Sequence, residues 1–180
     1  MARKSPDTDN CIVESYRLFH LLRQASDAVH KTREVELKKY GLTPEQSGAL
    51  VCIRSLGNKA TPAELSRWLF RERNTTTILL KRMYKLGLIE KKADTKRKNV
   101  IRLSLTAKGE EAYQHSIEFK SFLPIIAVLP EKKRKQLWAL LQVVRLKVFE
   151  NLNIDVRAYS NILDKPIAVE SAGRDLCKDK

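Results

Sequence analysis

Apolar residues recur at spacings of three and four along the first third of the chain. Ile12, Tyr16, Phe19, Leu22, Ser26 and Val29 mark one face, which predicts a long helix from Cys11 to Tyr40. Leu18, Leu21, Ala25 and Ala28 widen the stripe beyond one core face. A stripe that wide asks for a second covering surface, such as another subunit. Gly41 stops this helix. Thr43-Pro44-Glu45-Gln46 opens the next, with Thr43 as N-cap, Pro44 at the first helical position and Gln46 completing a capping box. Leu50, Ile53 and Leu56 form its inner stripe, and Gly57 ends it. Thr61-Pro62-Ala63-Glu64 repeats the device, and a short helix follows through Leu65, Trp68 and Leu69 to about Phe70. The next pattern runs from Glu72 to Leu86. Thr76, Leu80, Met83 and Gly87 line one side; Arg73, Asn74, Thr77, Ile78, Lys81, Arg82 and Lys85 line the other. Thr75, Thr76 and Thr77 are β-branched and poor helix formers, so their place here needs a reason other than helix stability.

From Leu88 the period changes. Leu88 to Lys92 reads as a short strand. Val100 to Leu105 alternates, with Ile101, Leu103 and Leu105 on one face. Between them lies a polar, basic hairpin tip, Asp94-Thr95-Lys96-Arg97-Lys98-Asn99. Thr106 caps a fifth helix running toward Val128, which Pro124 is expected to kink or end. Pro130-Glu131 starts a sixth, with Leu137, Leu140, Leu141, Val144, Val148, Phe149 and Leu152 as a broad apolar stripe. After Asn153 the periodicity fades, and residues 153–180 read as a loosely attached tail broken by Pro166 and Gly173. The expected fold is mainly α with a small β-hairpin.

Composition narrows the function classes. The 180 residues carry 35 Lys and Arg against 21 Asp and Glu, a formal charge of +14. The 43% hydrophobic content suffices for a core. No run approaches the ~18 apolar residues of a membrane span, and no apolar segment follows the basic N-terminus, so no signal peptide is expected. Cys11, Cys52 and Cys177 are too few and too scattered for a disulfide scaffold, which points to reducing cytoplasm. A charge of this size draws the protein to polyanions. It is concentrated between Glu90 and Arg102, where Lys91, Lys92, Lys96, Arg97, Lys98 and Arg102 face only two acids, the footprint expected of phosphate binding. There is no nucleophile elbow, phosphate-cradling glycine loop, paired-carboxylate or metal motif, so neither catalysis nor a cofactor is expected. His20, His30 and His115 are isolated rather than paired at metal-ligand spacing.

A short helix, a turn and a helix with a polar, arginine-bearing face make a helix-turn-helix signature, whose second helix enters the DNA major groove. Arg73 and Lys81 reach guanine edges or phosphates, Asn74 pairs with adenine, and Thr75 and Thr77 bond phosphate or touch a thymine methyl. Ile78 and Arg82 share that face. Arg67 and Arg71 are placed to touch phosphate rather than bases, and Thr61 is a further DNA-contact candidate. The basic tip, with Lys96, Arg97 and Lys98, suits the minor groove.

The chain resembles the MarR family of winged-helix transcription regulators. The matching residues are Leu42-Thr43-Pro44-Glu45-Gln46, Ala63-Glu64-Leu65, Asn74-Thr75-Thr76-Thr77, Leu86-Gly87-Leu88-Ile89-Glu90 and Leu103-Ser104-Leu105-Thr106-Ala107-Lys108-Gly109. The resemblance covers residues 10–152. It implies a DNA-binding winged helix over 43–106, flanked by dimerisation helices over 10–40 and 107–152. It implies a homodimer whose two recognition helices meet a pseudo-palindromic operator with half-sites ~10 bp apart. Members usually repress, and many release DNA on binding a small, often aromatic effector. The family's Asp-x-Arg wing pattern falls here on Arg97 and Asn99, so Asp94 with Lys96, Arg97 and Lys98 would serve in a shifted register. Tyr16, Phe19, His20 and Trp68 are candidates for an effector pocket, though each also reads as plain core or dimer packing. Cys11 stands near the start of the first helix, where a peroxide-sensing branch keeps a reactive cysteine; read alone it is a small apolar residue there. A second reading is a winged helix used as an architectural or protein-interaction module. That reading would favour an apolar patch where Arg73 to Lys81 present a polar face.

Overall fold

A computed structural model describes residues 6–154. The order is α1 (Pro6–Lys38), α2 (Pro44–Leu56), a 3-10 turn (Gly57–Lys59), α3 (Pro62–Trp68), α4 (Arg73–Lys85), β1 (Ile89–Ala93), β2 (Ile101–Leu105), α5 (Ala107–Ile117), α6 (Leu123–Ala127) and α7 (Glu131–Asn151). The tail expected over 153–180 lies, from residue 155 on, outside the described residues.

The caps form as their side chains dictate. Thr43 Oγ1 accepts from Gln46 N at 3.3 Å, while Gln46 Oε1 accepts from Thr43 N at 2.9 Å. Thr61 Oγ1 accepts from Glu64 N at 3.2 Å, and Thr106 Oγ1 from Gly109 N at 3.0 Å. At the end of α4, Gly87 has φ +71, a conformation that costs glycine little. There Leu88 N donates to Met83 O and Gly87 N to Tyr84 O. This Schellman closure turns the chain directly from α4 into the hairpin.

The core sits where α2, α3, α4, the base of the hairpin and α5 meet. Leu50, Ile53, Leu65, Leu80, Met83 and Ile89 are at most 2% exposed. β1 and β2 pair antiparallel, with Ile89 opposite Leu105 and Ala93 opposite Ile101. Leu103 N also donates to Ala60 O at 3.0 Å, which ties the hairpin to the segment between α2 and α3. The expected inward face of β2 holds at Leu103 but fades outward: Ile101 is 42% exposed, because the hairpin there extends past the body.

The fifth predicted helix is two helices, and Pro124 does not end the first. α5 stops at Ile117, Phe119 takes φ +49, and Pro124 sits in the first turn of α6. The physical reason lies on α1. The Glu36 carboxylate accepts from Lys120 N at 3.0 Å, from Ser121 N at 3.1 Å and from the Ser121 hydroxyl. Arg33 donates to Glu36 and to Ser116 O, both at 2.7 Å. These bonds satisfy the backbone at the break. Proline, lacking an N–H, is then suited to start the next helix.

The apolar faces of α1 and α7 stay uncovered within one chain. Ile12, Tyr16, Phe19, Trp138, Leu140 and Val143 are each at least half exposed. Among the described residues of α7, Phe149 is the buried one.

Candidate nucleic-acid interface

α4 has two chemically distinct sides. Thr76, Leu80 and Met83 anchor it, at 1%, 2% and 0% exposure. The other side presents Arg73, Asn74, Thr75, Thr77, Ile78, Lys81 and Arg82, all exposed. Thr77 Oγ1 donates back to Arg73 O at 2.8 Å, which satisfies one β-branched residue inside the helix. Thr76 Oγ1 is buried without a hydrogen-bond partner. The predicted split of the helix into an inner and an outer face is therefore the observed one.

Around α4 the other predicted contacts take graded positions. Arg67 is exposed and holds Glu64 at 2.7 Å. Arg71 lies 3.7 Å from Glu45. Thr61 is half-buried as the cap of α3 and lines a cleft of about 660 Å³ beside the hairpin, together with Lys59, Arg97 and Arg102.

The hairpin tip is organised by one carboxylate. Asp94 Oδ1 accepts from Lys96 N and Arg97 N, both at 2.8 Å, and Asp94 Oδ2 from Arg102 Nε. The Arg102 guanidinium, and then the N–H groups of Arg97 and Lys96, hold the Asp94 carboxyl below its ordinary range. Asp94 thus braces the hairpin, and Lys96, Arg97 and Lys98 are left projecting and exposed. Arg102, counted with the basic patch in the sequence, is instead part of the brace. We expect Asp94→Ala to speed amide exchange at residues 95–99 without a measurable fall in melting temperature. Unchanged exchange there would show that Asp94 organises nothing.

Cys11, Tyr16 and His20 are exposed on α1 and line neither the cleft beside the hairpin nor the cavity at α4. α1 begins at Pro6, so exposed Cys11 lies in its second turn rather than at its N-terminus. Tyr16 and Phe19 flank the His20 ring at centroid distances of 4.2 and 5.3 Å, both on the open face of α1. Trp68 packs half-buried against the core. Burial, with Glu64 nearby, pushes the Cys52 thiol up to about 12, so it is an inert core residue.

A cavity of about 540 Å³ instead lies beneath α4, lined among others by His30, Glu45, Arg71, Thr75, Thr76 and Arg82. Sequence reasoning missed it because its walls come from α1, α2, the α3–α4 turn and α4. Thr76, whose buried hydroxyl has no hydrogen-bond partner among the described residues, is one of the lining residues. Among the described residues no group of three or more His, Cys, Asp or Glu is placed to hold a metal. No described helix is long and apolar enough to cross a membrane.

No family model matches the sequence. The chain is 37% identical over 87 residues to an uncharacterized HTH-type transcriptional regulator, YsmB, of Bacillus subtilis. That match spans 48% of this chain and 58% of the relative's length. Among solved structures, a mutant MarR from E. coli complexed with operator DNA superposes with a TM-score of 0.63 at 23% identity, over 75% of this chain and 96% of that one. The fold is that of the MarR-type winged-helix regulators. A 2,4-dichlorophenol-bound form of the organohalide-sensing regulator RdhR-CbdbA1625 has a TM-score of 0.67 at 22% identity, over 82% and 88% of the two chains. In the MarR-type fold α3 and α4 form the helix-turn-helix, and the hairpin of β1 and β2 is the wing.

Proposed function

We propose that the chain is a cytoplasmic, sequence-specific double-stranded DNA-binding transcription regulator of the MarR family. It is not an enzyme. The observation that carries this reading is the outer face of α4. Arg73, Asn74, Thr77 and Lys81 are exposed there on a helix whose other face is locked into the core. The wing tip adds exposed Lys96, Arg97 and Lys98, so in this reading major-groove and minor-groove contacts come from successive elements. The similarity to a DNA-bound MarR and to an HTH-type regulator supports it.

The active unit in this reading is a homodimer on a pseudo-palindromic operator. The uncovered apolar faces of α1 and α7 support it, since apolar area of that extent on a soluble chain marks an interface. The regulator represses, and a small, partly aromatic effector releases it. The cavity beneath α4 supports that step: a ligand there touches Thr75 and Arg82 of the recognition helix itself. The dichlorophenol-bound relative of this fold accords with it.

The test is Arg73→Ala on a selected operator and on random duplex. A base-reading arginine is worth about 1–3 kcal/mol of discrimination, so affinity for the operator should fall about tenfold or more beyond the loss on random DNA. Equal losses on both would show that Arg73 touches phosphate only.

A further inference from the structure

The turn that delivers the chain into α4 holds a strained aromatic residue. Phe70 has φ +51, a conformation that a branched or bulky side chain adopts only when its surroundings impose it. Phe70 N donates to Arg67 O at 3.1 Å. On either side, Ser66 and Arg71 clasp each other: Arg71 N donates to Ser66 O at 3.1 Å, and Ser66 Oγ donates to Arg71 O at 2.6 Å. The Phe70 ring, itself 55% exposed, lies against the Phe149 ring of α7 with centroids 5.4 Å apart and planes at 40°. Phe149 is only 2% exposed, and the Arg145 guanidinium lies 5.5 Å from its ring centre. A ring contact therefore joins α7 to the turn, three residues before α4 begins.

We infer that Phe70 and Phe149 form a positioning joint through which α7 sets the orientation of α4. This rests on the reading of α4 as the DNA-reading helix. Neither phenylalanine touches DNA in this scheme; they act through the backbone of the turn. The strained conformation of Phe70 fixes where Arg73 and Asn74 begin, and Phe149 holds the ring that fixes Phe70. A ring pair is a discrete contact, so α4 has one preferred seat while the pair is made. α7 also carries the exposed apolar residues Trp138, Leu140 and Val143, so whatever covers them bears on the same helix.

The test uses the full chain and the variants Phe149→Leu and Phe149→Ala, with Phe149→Tyr as the ring-preserving control. In free protein, amide hydrogen exchange should rise about tenfold over residues 70–76 in the Leu and Ala variants. Exchange at Leu50–Ile53 in α2 should stay at the wild-type rate, and Tyr should restore the turn. No change at 70–76, or an equal rise at 50–53, overturns the joint. The second arm compares binding to the duplex that wild type enriches from random DNA with binding to random duplex. The Leu and Ala variants should lose about tenfold of that preference while keeping their random-DNA affinity. A preference kept despite faster exchange at the turn overturns the coupling to DNA reading. Should wild type enrich no duplex at all, the reading of α4 falls, and the exchange data alone decide the joint.

Discussion

Glu36→Ala is expected to melt about 12 °C below wild type, a loss of about 4 kcal/mol in a chain of this size. The Glu36 side chain is 6% exposed and its partner Arg33 is 9% exposed. Among the described residues, removing the carboxylate leaves the buried guanidinium with Ser116 O and the Phe119 ring, whose centre lies 4.4 Å away. It also orphans the backbone N–H groups of Lys120 and Ser121 at the break between α5 and α6. An uncompensated buried charge and two unsatisfied donors are among the costliest changes a fold can suffer. The pH dependence follows. Burial by itself raises the carboxyl, but the Ser121 hydroxyl and N–H, and then Arg33, outweigh it, and Glu36 lies below the ordinary glutamate value of 4.5. A depressed folded value stabilises above the unfolded one and is lost as pH falls through the folded one. The gap between wild type and variant is therefore full at neutral pH and narrows below about 4.5. Thermal melts by circular dichroism across pH 3–7 check both statements. A difference below about 2 °C at pH 7 would show that the network holds nothing.

Gly109→Ala is the second large effect. A Cβ on Gly109 would stand 1.9 Å from Leu88 O and 3.0 Å from Leu88 C, both backbone atoms. Nothing flexible can yield, so α5 and the root of the wing must separate. That root is also where Thr106 Oγ1 donates to Gly87 O, Thr106 N to Leu88 O and Lys108 Nζ to Leu86 O. The expected cost is about 3 kcal/mol, or about 10 °C in melting temperature. The wing is displaced too, so DNA affinity should fall at temperatures where the variant is still folded. An alanine variant within about 1 kcal/mol of wild type would mean that helix and wing are not in the contact described.

These two sites mark the limit of what the chain reveals as text. Helix caps were legible because their cause is local: Thr43 and Gln46 satisfy each other within four residues. The two faces of α4 were legible because Thr76, Leu80 and Met83 keep helical spacing. The break after Ile117 was not, since Glu36 imposes it from more than 80 residues away. Gly109 was visible as part of a family motif, but the carbonyl that forbids a larger residue belongs to Leu88. On the candidate interface, the exposure of the basic residues of α4 and the hairpin tip was legible from pattern alone. In the wing, Asp94 was expected from the family pattern in a shifted register, but its partner Arg102 was not, because the two meet only once β1 and β2 are paired. The cavity at α4 was not legible either, because its lining is drawn from α1, α2, the α3–α4 turn and α4, which converge only in the fold.

The most direct measurement is selection of duplexes from a random pool by the purified chain at near-physiological salt, with the stoichiometry of the complex determined on the winning duplex. A dimeric regulator predicts a pseudo-palindrome with half-sites about one helical turn apart, bound by two chains. DNA retained with no enriched sequence would contradict the account and make the chain a basic, architectural winged helix.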